Sequence, residues 1–281
     1  MGTISVTLPA DGTTADVADY NTPVTTIVDA INGNLDNANI KTAAGIAGSK
    51  LADASLDLGL KSSVFDGWVA VSDSWTYASA TTITVPSDAT TKYSVGDKIK
   101  LVQTTTKYFY VVAVSATTLT VTGGTDYTVA NAAISSIYYS KAATPLSFPH
   151  IFSWTPTWTN FTVSGSTVTA KFLMIGRKQY FRATVVLGGG NAPTGAVTMT
   201  FPVTSASYAG TATTLKIGDV SILDSGTDVF YGPLLWTSTT TGTVRVHGVA
   251  GTYLNSANLS GSVPMTYANG DEVTIIGETE V

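Results

Sequence analysis

Few residues in this chain could do chemistry by type, and their spacing brings none of them together. His150 and His247 are the two histidines. A general base or metal ligand needs partners within reach, and these two lie far apart, so each reads as a structural or surface residue. The run Asp224-Ser225-Gly226-Thr227-Asp228 offers the oxygen donors that a hard cation such as calcium takes. It lacks the EF-hand spacing and a following glutamate, and reads as a turn. Glycoside hydrolysis needs two carboxylates at a defined separation across a cleft. With 19 acidic residues some pair always exists, so pairs alone decide nothing. The chain has no G-x-S-x-G, Walker A, G-x-G-x-x-G after a strand, or H-E-x-x-H. Nor does it carry the fixed turn period of a β-helix. An enzyme is therefore not expected, and no cofactor or metal is implied.

Aromatic side chains suggest other chemistry. Sugars are recognised by exposed flat rings with amide and hydroxyl partners nearby, and little charge is needed. Trp154, Trp158, Tyr208, Tyr231, Trp236 and Tyr253 fall in or beside expected loops of the C-terminal part. Trp154 and Trp158 read as covers of the domain edge. Trp236 reads either as a core plug or as a ligand platform. Tyr231, Trp236 and Tyr253 are the candidate ligand-binding residues, Tyr231 and Tyr253 being the expected exposed pair.

The elements that position these residues are short and β-rich. Charged residues make up only 12% of the chain, about half the usual share, so Thr, Ser, Asn and Gly must carry its solubility. That composition suits β-rich extracellular or virion proteins, whose hydroxyl side chains line exposed strand faces. A net charge of −5 leaves no basic surface for a phosphate backbone, and nucleic acid is not an expected partner. There are no cysteines for disulfides or thiolate metal sites. The start, Met1-Gly2-Thr3-Ile4-Ser5-Val6, has neither a basic nor an apolar signal region, and the apolar runs are strand-sized. Neither secretion by signal peptide nor a membrane partner is expected.

A length of 281 residues suggests two folded domains with smaller attachments. Residues 1–63 read as an attachment and oligomerisation segment. It begins with an alternating strand over 4–9, and a helix follows. Asn21 or Thr22 can cap that helix, Pro23 suits its first turn, and Val24, Ile27, Val28, Ile31 and Leu35 share one stripe. At about four turns, weakened by Gly33, such a helix is marginal alone and must pack on something. Residues 38–60 are Ala-, Gly- and Ser-rich with isolated aliphatics, among them Ile40 and Ile46. Such a stretch can bury those few side chains against copies of itself around a symmetry axis.

Residues 64–144 read as a small β-barrel or compact sandwich, with a Val95-Gly96-Asp97-Lys98 turn leading into a strand. Residues 145–281 read as a β-sandwich, jelly-roll-like in class. Its strands are expected over 168–174 and 179–187, joined by Gly176-Arg177-Lys178, and over 197–203, 215–223, 243–249, 258–263 and 273–276.

The N-terminal "YNTPVTTIVDAINGNLDNANI...AAGIAGSKLAD" resembles the start of tailed-bacteriophage structural proteins described as minor structural, head-fibre or tail-fibre proteins. The stretches "GWVAVSDSWTYASATTITVP...VGDKIKLVQTTTKYFYVVAVSATTLTVTGG" and "SWTPTWTNFTVSGSTVTAKFLMIG" resemble modules of the same proteins, so the resemblance covers most of the chain. It implies a virion appendage made in the host cytoplasm and carried outside on the particle. It also implies a homotrimer, docked through its N-terminal part to capsid, neck or tail proteins, with a distal β-domain that contacts the host; a host cell-surface glycan is the ligand class that the aromatic residues suggest.

Overall fold

The computed structural model describes residues 66–86, 88–208, 214–250 and 253–281, together with Asn21, Val24 and Thr25. These last three have helical backbone and are exposed. The remaining expectations for residues 1–63, including Ile27, Val28, Ile31, Leu35, Ile40 and Ile46, lie outside the described residues. The chain divides into two compact units, Met1–Lys61 and Ser62–Val281.

The second unit is mainly β and carries two antiparallel sheets. The first is built from β1 (Val69–Ala70), β2 (Thr76–Ser79), β3 (Thr82–Thr84), β4 (Lys98–Val102), β5 (Thr106–Ser115), β6 (Thr118–Thr122) and β7 (Ser135–Ser140). They are ordered β1-β7-β4-β5-β6-β3-β2. Alternation sends Ile83, Ile99, Leu101, Phe109, Leu119, Val121 and Ile137 to one face, where they meet Trp75 and Tyr93 in a single core. A sheet of seven strands closes on one such core only by curling.

The second sheet contains β8 (Phe152–Ser153), β9 (Trp158–Phe161), β10 (Thr167–Ile175), β11 (Lys178–Val186), β12 (Pro193–Thr200), β13 (Lys216–Asp224), β14 (Asp228–Trp236), β15 (Thr241–Ala250), β16 (Tyr253–Asn258) and β17 (Glu272–Glu280). Its path runs β8-β10-β11-β17-β13-β14-β15-β12-β9, and β16 extends β15. Inward side chains from all parts of this path, such as Phe172, Phe181, Val197, Ile222, Leu234, Val246 and Ile275, share one core. Phe181 lies opposite Gly277, where a Cβ would strike its ring, so the bare backbone makes room for the aromatic inside the curl.

The expected hairpin is present: β10 pairs with β11 from Thr167↔Val186 to Ile175↔Lys178, and Gly176 takes the positive φ of its two-residue turn. Two expectations are corrected. Residues 228–236, where the sequence predicts no strand and sets Tyr231 and Trp236 in or beside loops, form β14, an inner strand of the sheet. Pro233 is tolerated there because β14 pairs with β13 at that position, whereas its ladder with β15 starts at Leu234. Residues 258–263, read as a strand, instead leave β16 at Asn258 and turn, with one bridge between Ser260 and Val263. Gly261 breaks the run there, and the apolar Leu259 is buried in the core.

An aromatic cluster joins the sheets. Phe152 packs edge-on against Tyr110, Tyr127 and Phe148, with centroids 5.4, 5.9 and 5.7 Å away, and lies 6.0 Å from Phe172. Backbone contacts reinforce the joint: Thr125 N donates to Ser153 O at 2.8 Å, and Ser153 N donates to the Asp126 carboxylate at 2.7 Å. At the other end, a Cβ on Gly96 would overlap the Gly176 carbonyl, so the β10–β11 turn sits directly on the turn that opens β4.

Candidate functional site

Two places gather chemistry-bearing side chains: the outer face of the second sheet and the cleft where the sheets meet. On the outer face, antiparallel register places residues directly opposite on the same side. Thr169, Thr184, Thr274, Ser221 and Tyr231 line up across five strands in this way. Thr184 and Thr274 hydroxyls hydrogen-bond at 2.8 Å, and Thr274 donates to Glu272 at 2.6 Å. The neighbouring row is Lys171, Arg182, Ile276 and Asp219. Ile151, Leu173, Tyr180 and Ile276 line a shallow apolar depression of about 270 Å³, with Lys171 and Arg182 also at its wall.

Tyr231 stands at the end of the hydroxyl row and is 63% exposed. Trp236 lies on the same strand but is corrected from the ligand-platform reading: it is buried at 7%, packs edge-on against Tyr208, and donates its Nε1 hydrogen to Ser205. Tyr253 pairs through its backbone with Ala250 at the start of β16, and its side chain lies outside the description. Trp154 is buried in the core and Trp158 is half-buried, packed edge-on against Phe161. Asp224–Asp228 forms the β13–β14 turn, in which Thr227 N donates to Asp224 O at 2.9 Å. The buried Asp271 accepts from Ser225 N in that turn and from Ala268 N. Among the described residues, no group of three or more His, Asp or Glu is placed to hold a metal ion.

The cleft was not foreseen. It encloses about 390 Å³ and is lined by residues of the Val95–Lys98 turn, Tyr110, the 141–150 connector and the β10 end. That volume lies at the small end of the range for small-molecule sites. Strand pairing sets Lys98 opposite Tyr110, so both project from the face of β4 and β5 that turns away from the first core. Lys98 is only 5% exposed, and its ammonium lies 5.9 Å from the Tyr110 ring centroid. Burial pushes the Lys98 amine below its usual value, and neighbouring Asp97 opposes the shift.

Asp97 is itself committed: its carboxylate accepts from Ser94 N at 2.9 Å and from Lys141 Nζ at 3.1 Å. His150 sits on the opposite wall at a φ of 59°, and Ile151 N donates back across it to Pro149 O at 2.6 Å. This is a γ-turn, a strained conformation for a residue with a side chain. Burial and then the Lys98 charge lower the His150 imidazole below the usual histidine value. His247, by contrast, lies exposed on β15 opposite Ser256.

No protein-family model, curated protein or solved structure matches this chain.

Proposed function

We propose that this protein is a structural appendage of a tailed-bacteriophage virion, anchored through its N-terminal segment and projecting its β-body outward. The observation that carries this reading is the division of the chain into a compact unit Met1–Lys61 and a separate β-body Ser62–Val281. A short unit for docking and a larger one for display is the arrangement an appendage needs. The residue patterns quoted above support it, as does the row of Thr and Ser hydroxyls across the outer face of the second sheet. The stripe Val24, Ile27, Val28, Ile31 and Leu35, with Ile40 and Ile46 after it, is assigned to trimer formation and to contacts with capsid, neck or tail proteins. Among the described residues, no helix is long and apolar enough to cross a membrane.

The test is the position and copy number of the chain in purified particles. Copy numbers in multiples of three, lost from particles by Ile31→Asp while the β-body stays folded, support the reading. Particles that lack the protein overturn it.

A second reading, adhesion to a host cell-surface glycan, draws on the row that ends at Tyr231. An exposed ring beside aligned hydroxyls suits the apolar face and hydroxyl edge of a sugar. Saturable binding of the full chain to host cell walls, weakened at least five-fold by Tyr231→Ala with no change in stability, supports it. Unchanged binding in the variant removes Tyr231 from the surface responsible.

A further inference from the structure

Lysines are almost never fully buried without a partner, because an unpaired ammonium loses its hydration with nothing in exchange. Lys98 is 5% exposed, its Nζ has no hydrogen-bond partner among the described residues, and the little solvent contact it keeps is at that amine. The nearest carboxylate, Asp97, already accepts from Ser94 N and Lys141 Nζ. The Tyr110 ring covers Lys98 from one side at 5.9 Å, and Lys98 also lines the 390 Å³ cleft. Two lysines, Lys98 and Lys141, face a single Asp97 here, so the cleft has a net positive charge within a chain of net charge −5. His150 adds a second positive charge when protonated.

We propose that this cleft is an oxyanion-binding site, which takes a carboxylate or phosphate group on a small ligand, with Lys98 as the principal cation. The oxyanion supplies the acceptors Lys98 lacks, in a low-dielectric setting where a charge-assisted hydrogen bond is at its strongest. Lys141 flanks it from a more exposed position, 53% open along its side chain. Leu173, Met174 and Ile175 at the end of β10 add apolar surface to the cleft lining, beside which the body of the ligand rests. The space is sized for one small molecule. This site stands on different residues from the outer-face row, so the two readings succeed or fail separately.

The experiment titrates inorganic phosphate, glucuronate and uncharged glucose into the full chain, followed by calorimetry and by the His150 imidazole resonances. Saturable binding of phosphate, glucuronate or both, with no binding of glucose, is expected. Phosphate alone assigns a phosphate ester and glucuronate alone assigns a carboxylate. Lys98→Met is expected to abolish binding, and Lys141→Ala to weaken it about two- to five-fold while leaving the fold intact. If Lys98→Met fails to fold, the Lys141→Ala titration and movement of the His150 resonances on binding carry the test. Absence of saturable binding for both anions, equal binding of glucose, or anion binding that leaves His150 unmoved and is unaffected by Lys141→Ala overturns the proposal.

Discussion

The Tyr110 hydroxyl, on the first sheet, donates to the backbone carbonyl of His150 at 2.6 Å, in the segment that leads into the second. Tyr110 is almost wholly buried, and burial pushes its hydroxyl up to about 12, so it remains a proton donor across the physiological range. The bond holds the positive-φ turn at His150 against the cleft. One neutral hydrogen bond thereby ties the geometry of the connector to a strand 40 residues earlier.

Tyr110→Phe keeps the ring contacts with Phe148 and Phe152 and removes the hydroxyl, which donates to His150 O and also meets the Met174 backbone. The expected cost is about 1 to 2 kcal/mol, since a part-buried carbonyl loses its partner. Denaturant unfolding measures the loss, and the His150 ring resonances should broaden or move as the turn relaxes. A variant with wild-type stability and an unmoved His150 would contradict the role given to this bond.

Phe152→Ala tests the joint between the sheets. Its ring is fully buried among aromatics from both sides, so truncation is expected to cost about 3 to 5 kcal/mol. Because this cluster couples two otherwise separate cores, calorimetry of the variant should resolve two transitions where the parent shows one.

Gln179 is buried on β11 and makes three hydrogen bonds to two residues. Its amide donates to Val203 O and Thr279 Oγ1, both at 2.7 Å, and accepts from Val203 N at 3.0 Å. Gln179→Leu matches its shape but strands these groups, with an expected loss of about 3 kcal/mol or more. The unfolding midpoint should fall without a change in the denaturant slope.

Stability should depend on pH through His150. Its folded-state value lies below that of the unfolded chain, so the unfolded state binds the proton more readily. The contribution is therefore fully present above the ordinary histidine value of about 6.5 and declines as pH falls through the folded value. Lys98, Lys141, Asp97 and Tyr110 face the same cleft; Lys98 depresses His150 further, while Asp97 is held by Lys141. His150→Asn tolerates the positive φ and should flatten this component between pH 7.5 and 5.5, as read from melting temperatures. An unchanged pH profile would show that His150 is as hydrated when folded as when unfolded.

What the sequence determined by itself was local. The alternation in 167–186 and the glycine at 176 specify the β10–β11 hairpin, because side-chain direction in a strand has a period of two and a tight turn needs positive φ. Strand β14 was hidden, because Tyr231-Gly232-Pro233 carries turn-forming residue types that only its neighbours' pairing makes acceptable. The cleft was hidden more deeply. In Asp97-Lys98-Ile99-Lys100-Leu101, alternation sends Ile99 and Leu101 to the core and both lysines to the other face, which in one sheet alone is solvent. The second sheet docks on that face and brings Lys98 up against His150 and the end of β10. Burial of a charge is a property of what covers it, and here the cover arrives from residues 141–176, beyond the reach of any local pattern.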